Sequence, residues 1–176
     1  MKEAQLTAAG IVIDVIEGNN LNKVFQKYSQ ENKISPKDIS QIKDLVFGTL
    51  RSYGKTKFVI NKLVKRMPSN TLILSLLHVA LFQLISNRSN SYTVVDQAVS
   101  ASNMINKRHT KFVNGVLRSF LREKVSILEK AEKIDEAKYS YPIWWINLIK
   151  NEYPKSWNNI LDIGNSHPPL IIRVNI

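Results

Sequence analysis

Cysteine is absent from the 176 residues of this chain. Without a thiol, the chain can form no disulfide framework, no thiolate zinc site and no cysteine nucleophile of its own. A chain without cysteine also fits a reducing compartment. The N-terminus, Met1 to Gln5, lacks the apolar run and small-residue cleavage site of a signal peptide. We therefore expect a cytoplasmic protein.

No hydrophobic run of the sequence is long enough to span a membrane. The longest, Leu72 to Ile85, is interrupted by Ser75, His78 and Gln83. It is also shorter than the roughly 20 residues that a spanning helix needs. Because it is apolar on most of its circumference, we interpret it as a central helix buried by others. A membrane is therefore not among the expected partners, and nothing in the sequence indicates a homo-oligomer.

The recurrent motifs of nucleotide and metal sites are missing too. The six glycines form neither a dinucleotide fingerprint nor a P-loop. The three histidines, His78, His109 and His167, show no paired metal-ligand spacing. We interpret His78 as a hydrogen-bonded structural residue, and His109, which has basic neighbours, as a candidate phosphate contact. The sequence thus predicts no catalytic residue, no metal site and no cofactor site in this chain.

Acidic residues are nearly missing from the middle of the chain. Between Leu45 and Arg122 the only one is Asp96, against twelve lysines and arginines, whereas basic and acidic residues balance in both flanks. The net charge of +11 therefore lies entirely in this stretch. A concentrated positive field attracts polyanions and speeds their encounter. The distribution favours nucleic-acid binding, and a solubility charge on an ordinary helical surface is the alternative.

Helical periodicity runs through nearly the whole chain and predicts an all-α fold. Ser35 and Pro36 should begin one helix, and the helix after Gly54 should continue to Met67. A further helix is predicted over about 110–123, followed by a charged stretch over 126–138. The β-branched segment 170–176 reads as a strand whose partners we expect in sequence absent here. We expect a helical domain over 1–138, a helical connector over 139–169 and the start of another domain over 170–176.

Two basic stripes are the clearest candidates for a binding surface. Lys111, Arg118 and Arg122 are spaced by seven and four, so they fall on one helix face. After Gly54, the same spacing recurs in Lys55, Lys62 and Arg66. Such side chains can neutralise phosphates without reading sequence, although a solvated helix face is the simpler alternative. The candidate RNA-binding residues are Arg51, Lys55, Lys62, Arg66, Lys107, Arg108, Lys111, Arg118 and Arg122.

Two glycines, Gly48 and Gly115, stand inside helical patterns. Each should cost about 1 kcal/mol relative to alanine. The simplest offset is close approach of two helices, so both glycines are expected at packed contacts. Trp144 and Trp145 could stack on bases, but their apolar neighbours favour packing in the core or at a domain junction.

Three segments resemble the NusB family of helical RNA-binding proteins. The segment KFVNGVLR, Lys111 to Arg118, looks like the family's signature helix. DQAV, Asp96 to Val99, resembles the helix before it, and DLVFGTLR, Asp44 to Arg51, resembles an earlier one. The resemblance implies a NusB-like helical bundle. The family usually has an arginine ahead of the first helix's apolar run. Here that segment begins at Gln5, so the resemblance supplies no RNA contact at the N-terminus.

The C-terminal segments narrow the resemblance. YPIW, Tyr141 to Trp144, and NSHPPLIIRVN, Asn165 to Asn175, are similar to the N-terminal region of RsmB/Sun-type ribosomal-RNA cytosine methyltransferases. That family implies a parent enzyme that makes 5-methylcytosine in small-subunit ribosomal RNA. S-adenosylmethionine and the catalytic cysteines would then belong to a C-terminal catalytic domain missing from this chain. The expected partners are ribosomal RNA and that domain. Two alternatives stay open: a free-standing antitermination factor, and a helical docking module that never touches RNA.

Overall fold

The computed structural model describes residues 2–31, 34, 36–87, 89–166 and 171–173, and within them the chain is helical. A 3-10 turn, Lys107–His109, precedes the longest helix. The helices are α1 (Lys2–Ile16), α2 (Leu21–Glu31), α3 (Pro36–Arg51), α4 (Tyr53–Leu63), α5 (Thr71–Ser86), α6 (Ser91–Ile105), α7 (Thr110–Ala131), α8 (Asp135–Tyr139), α9 (Ile143–Glu152) and α10 (Trp157–Asn165). The all-α prediction is confirmed. Among the described residues, no helix has both the length and the apolarity that crossing a membrane requires.

Helix α5 is the centre of the bundle, as its apolar circumference predicts. The Asn70 side chain accepts a hydrogen bond from the Ile73 backbone N–H and begins the helix. Leu77 and Leu81 pack into one apolar cluster with side chains of α4, α6 and α7. Leu76 and Val79, on the other side of α5, pack into a second cluster with α1, α2 and α3. One helix therefore joins the two halves of the core.

Polar side chains tie α5 to its neighbours inside the core. Gln5 Nε2 donates to Gln83 Oε1 over 2.7 Å, and Ser75 Oγ donates to the Ala9 carbonyl over 2.8 Å, so both bonds join α1 to α5. Gln5 is only 1% exposed. Gln5 is therefore a core residue that fixes α1 to α5.

Gly48 is a point of close packing between α3 and α5. A Cβ added there would lie 2.0 Å from the Phe82 ring, well inside van der Waals contact. The glycine lets the ring lie directly against the α3 backbone. The prediction of close helix approach is confirmed at this position.

Two predicted helix boundaries are wrong. Helix α4 ends at Leu63 rather than near Met67. Val64 turns to an extended conformation and is buried, and Pro68 disfavours helix at the residue before it. Helix α7 does not stop near Glu123 but continues to Ala131. Ile127 and Ala131 extend its buried stripe through the charged stretch, so packing keeps those residues helical.

The C-terminal helices form a third, smaller apolar cluster. Tyr139, Ile146, Ile149 and Leu161 are buried together in it. Helix α8 packs against α4 and links this cluster to the main bundle. Of the predicted strand, residues 171–173 are described and belong to no helix or strand, and the rest lies outside the described residues. The predicted cap Ser35 and the connector residue His167 also fall outside them.

Candidate nucleic-acid interface

Helix α7 separates apolar and cationic residues onto opposite faces. Its inner face packs into the first cluster, with Val113, Leu117 and Phe120 fully buried. Its outer face exposes the predicted cations Lys111, Arg118 and Arg122. The seven-and-four spacing read from the sequence therefore lies on one solvent-facing stripe.

The two arginines of this stripe are held by neutral partners on their own helix. Arg118 Nε donates to Asn114 Oδ1 over 3.1 Å, and Arg122 Nη2 donates to Ser119 Oγ over 3.0 Å. In the part of the chain that the structure describes, neither arginine forms an ion pair. Their positive charges are oriented but not neutralised, which leaves them available to an anion.

The start of α7 concentrates positive charge where the helix itself is already positive. Lys107 and Arg108 are exposed in the 3-10 turn. The Arg108 backbone N–H donates to Asn106 Oδ1 over 3.0 Å and caps this turn. Lys111 follows in the first turn of α7, and that turn holds no acidic residue. Cations at a helix N-terminus typically cost about 0.3–1 kcal/mol each, because they face the positive end of the macrodipole. An anion bound at this helix end would offset the unfavourable interaction of the cations with the macrodipole.

Gly115 lies in the middle of the cationic stripe and is exposed. A Cβ added there would meet nothing within 4 Å. The prediction that this glycine marks close helix packing is therefore wrong, because α7 turns Gly115 outward. The position is a bare patch of backbone between Lys111 and Arg118. We name Lys107, Arg108, Lys111, Gly115, Arg118 and Arg122 the α7 cation face.

A groove of about 540 Å³ runs between α6 and α7 beside this face. Arg118 and Arg122 line one wall, and Tyr92 and Asp96 line the other. The apolar side chains of Val95, Val99 and Leu121 also line it, together with Asn114. The groove thus combines cations, one carboxylate, one aromatic ring and apolar contact area.

Tyr92 is a residue that the sequence interpretation missed. Its side chain is 78% exposed at the N-terminus of α6, where Asn90 Oδ1 accepts the Tyr92 backbone N–H over 2.9 Å. The available signal was its position: Tyr92 follows a capping asparagine and lies off the apolar stripe of the helix. An aromatic ring that stays largely exposed beside two arginines is a candidate contact residue for a nucleobase.

The predicted cations near α4 lie elsewhere and are arranged differently. Lys55 Nζ forms a 2.7 Å ion pair with Glu132. Since α4 ends at Leu63, Arg66 does not share a helix face with Lys62. The Lys62 ammonium lies 5.5 Å from the Phe58 ring centroid, and Arg51 lies 6.0 Å from that of Phe47. None of Arg51, Lys55, Lys62 and Arg66 lines the α6–α7 groove.

His78 is a structural residue, as predicted. Its Nδ1 is 2.7 Å from the Thr56 hydroxyl oxygen, and the Tyr53 ring stacks on the imidazole with centroids 4.4 Å apart. Burial, with a smaller contribution from the charge of Lys57, lowers the pKa of His78 to about 4. The imidazole is therefore neutral at pH 7 and joins α5 to α4.

Comparison with known proteins gives two matches along the chain. Residues 2–122 match the NusB family. Residues 141–176 match the ferredoxin-like domain of RsmF/B-like methyltransferases. The first match contains the first half of α7, the residues that line the groove and all nine predicted RNA-binding residues. The second contains α9 and α10.

Curated relatives match nearly the whole chain. A protein of Yersinia pseudotuberculosis named ribosomal RNA small subunit methyltransferase B is 34% identical over 172 residues, which is 96% of this chain and 39% of that protein. Proteins of the same name from Yersinia pestis and Shigella boydii are 34% and 32% identical over the same shares. This chain spans about two fifths of the length of these relatives. With well over half of its residues inside the first family match, the chain belongs to the NusB family.

Proposed function

We propose that this chain is the RNA-binding N-terminal part of an S-adenosylmethionine-dependent cytosine 5-methyltransferase that acts on small-subunit ribosomal RNA. In this role the chain holds and positions the RNA, and a catalytic domain outside this chain performs the methyl transfer. The names of the relatives support the parent enzyme. The match over residues 141–176 favours this assignment over a free-standing antitermination factor. A cytoplasmic location is part of the proposal.

The observation that carries the RNA-binding role is the α7 cation face. Three cations lie beside the exposed Gly115 on the solvent side of α7, and two more lie in the turn before it. In the described part of the chain none of these five cations forms an ion pair. Unpaired cations cost the folded chain some self-repulsion, and the phosphates of a nucleic acid would neutralise them. The counterions that the nucleic acid releases on binding add a favourable entropy. Contacts of this kind fix register and orientation without reading bases.

The cations near α4 contribute a second, weaker set of contacts in this proposal. Arg51, Lys62 and Arg66 keep their positive charges unpaired within the described residues, whereas Lys55 shares its charge with Glu132. We therefore expect the largest loss of RNA affinity from α7 and a smaller one from Arg51, Lys62 and Arg66. Lys55 should contribute least of the nine.

The residues of this chain do not fit a methyl-donor site. The described chain is helical, so it offers no strand–loop–helix turn for a nucleotide-like cofactor, and no cysteine exists to attack a pyrimidine. No group of three or more potential metal ligands is found among the described residues. In this proposal S-adenosylmethionine and the nucleophile belong to the catalytic domain of the parent.

The C-terminal helices are proposed to dock the rest of the parent enzyme. Ile143, Trp144 and Leu148 on α9 and Ile163 on α10 are all at least 44% exposed. Trp144 is 65% exposed, and the Trp145 ring contacts its ring edge-on. Several large exposed apolar side chains on neighbouring helices support a surface that another domain covers. These side chains lie within the segment that matches a ferredoxin-like domain.

The RNA-binding role is tested by titrating the chain into a fluorescently labelled small-subunit ribosomal-RNA hairpin over a salt series. We expect the logarithm of the affinity to fall linearly with the logarithm of salt, with a slope corresponding to about three to six phosphates. The variant K111E/R118E/R122E should lose this binding. Its matched control is K2E/K23E/K27E, which makes the same charge change at three exposed lysines of α1 and α2.

The control separates a specific surface from bulk charge. If both triple variants weaken RNA binding equally, net charge alone explains the affinity and the α7 cation face is not the site. If the wild type and K111E/R118E/R122E bind equally weakly at every salt concentration, the charge is a solubility feature or a docking face and the RNA-binding proposal is wrong.

A further inference from the structure

The groove between α6 and α7 contains chemistry that a surface for phosphates alone does not need. Tyr92 presents a nearly free ring: among the described residues it takes part in no ring stacking and no cation–π contact. Its backbone is fixed by Asn90, whose Oδ1 also accepts the Thr93 N–H over 3.4 Å. An exposed aromatic ring is a usual platform for an unpaired base.

Asp96 is the second unexplained residue in the groove. It is the only acid between Leu45 and Arg122, and it lines the same groove as two arginines. It is nevertheless exposed, and no ion pair joins it to any described cation. A carboxylate in this place repels phosphates. A surface that only followed the RNA backbone would bind more tightly without it.

A carboxylate becomes useful when a nucleobase lies beside it. An ionised Asp offers only acceptors, so it requires donors from its ligand. Guanine presents two adjacent donors, N1–H and N2–H, on its Watson–Crick edge. Adenine and cytosine present one amino group each. The single N–H of uracil lies between two carbonyl oxygens, and these repel a carboxylate.

We infer that the α6–α7 groove binds one unpaired nucleobase of a single-stranded RNA segment, with guanine preferred. The base stacks on Tyr92, its Watson–Crick edge donates to Asp96, and the flanking phosphates lie on Arg118 and Arg122. Val95, Val99 and Leu121 provide apolar contact for the sugar and the base edge. This inference rests on the proposed RNA-binding function and adds the class of RNA, the mode of binding and the preferred base.

A base pair inside a duplex does not fit this arrangement. In a helix, each base is stacked on both faces and its Watson–Crick edge is occupied by its partner, so neither Tyr92 nor Asp96 would find a ligand. The inference therefore places a loop, bulge or single-stranded end of the RNA in the groove. Duplex regions would contact only the α7 cation face.

The test uses the full 176-residue chain and two short fluorescein-labelled RNA oligomers. One is an oligouridine, and the other carries a single central guanosine. Fluorescence anisotropy should show tighter binding of the guanosine oligomer. Tyr92→Ala should weaken that binding about tenfold, the usual size of one lost base stack. Tyr92→Phe should leave it unchanged, because the ring is kept.

Two variants control for indirect effects. Tyr153→Ala removes a tyrosine that is 53% exposed at the end of α9, and it should not change RNA affinity. Asp96→Asn removes the repulsion of phosphates, so it should bind oligouridine more tightly than the wild type. The same variant should lose the preference for guanosine. Opposite changes in affinity and preference cannot arise from charge alone.

The outcomes separate this inference from the proposed function. If the wild type binds both oligomers equally, or Tyr92→Ala binds like the wild type, the base site is wrong. The RNA-binding function still stands in that case, provided that K111E/R118E/R122E loses binding. If the wild type binds neither oligomer nor the hairpin, the proposed function fails and the base site fails with it.

Discussion

The clearest predictions at the scale of single residues concern Gly115. Replacing it with alanine should stabilise the protein by up to about 1 kcal/mol, since alanine is the better helix former. No clash opposes this gain, because the added methyl group would meet nothing within 4 Å. The same methyl group would stand between the helix backbone and an RNA phosphate. We therefore expect a higher urea midpoint together with weaker RNA binding for Gly115→Ala. Equal RNA binding by the stabilised variant would remove Gly115 from the interface.

His78 predicts how stability depends on pH. Its pKa is about 4 in the folded protein and 6.5 when unfolded, so the unfolded state binds more protons between these values. The contribution of the neutral His78 to the free energy of unfolding is therefore fully present above pH 6.5. It declines as the pH falls and is lost completely below about pH 4. When the pH is lowered from 8 to 5, titration of His78 should reduce the free energy of unfolding by about 2 kcal/mol.

The measurement is urea unfolding of the wild type and of His78→Gln at both pH values. Glutamine cannot titrate, so the stability difference between the two proteins should shrink by the amount that His78 loses. The sign matters: wild type should lose more stability on acidification than His78→Gln. A constant difference between the proteins would show that His78 titrates normally in the folded state.

At the scale of helices, Gly48 provides the counterpart to Gly115. Gly48→Ala places a Cβ 2.0 Å from the Phe82 ring, so α3 and α5 must move apart or the ring must leave its position. Overpacking of this kind typically costs about 1–3 kcal/mol. The same substitution should thus destabilise the protein at Gly48 and stabilise it at Gly115. Thermal or urea unfolding of the two variants, side by side, checks both signs. A neutral Gly48→Ala would mean that the contact relaxes freely.

The sequence predicts helices well where local signals agree with packing. The apolar circumference of Leu72 to Ile85 identifies the central helix, and the spacing of Lys111, Arg118 and Arg122 identifies the cationic face of α7. The errors have tertiary causes. The packing of Ile127 extends α7, and the burial of Val64 ends α4 early. Local periodicity contains neither fact.

The candidate site was predictable only in part for the same reason. Lys55 has the right charge and spacing, but Glu132, which is 77 positions away in the chain, takes up its ammonium group. Gly48 and Gly115 look alike in sequence, and only the positions of neighbouring helices tell them apart. Tyr92 becomes conspicuous once its exposure and the facing arginines are known.

At the scale of the whole molecule, charge and apolar area lie on different surfaces. The α7 cation face borders the groove formed with α6, and the exposed apolar side chains lie on α9 and α10, the helices whose inner side chains form the third cluster. RNA affinity should therefore respond strongly to salt, whereas docking through Trp144 and its neighbours should respond weakly. This contrast allows the two proposed interactions to be measured separately in one protein.

Helix α7 joins these two surfaces without interruption. Lys111 lies at its start, and Ala131 lies at its end, next to α8, which leads into the C-terminal helices. Twenty residues of helix span about 30 Å, and each residue adds a rotation of about 100° about the helix axis. Helix α7 therefore fixes the geometry between its two ends. It sets both the distance and the angle between the point where the chain would grip RNA and the point where the remainder of an enzyme would attach. One residue inserted after Arg122 would leave the α7 cation face and the groove unchanged. It would shift and rotate both of them relative to the C-terminal helices.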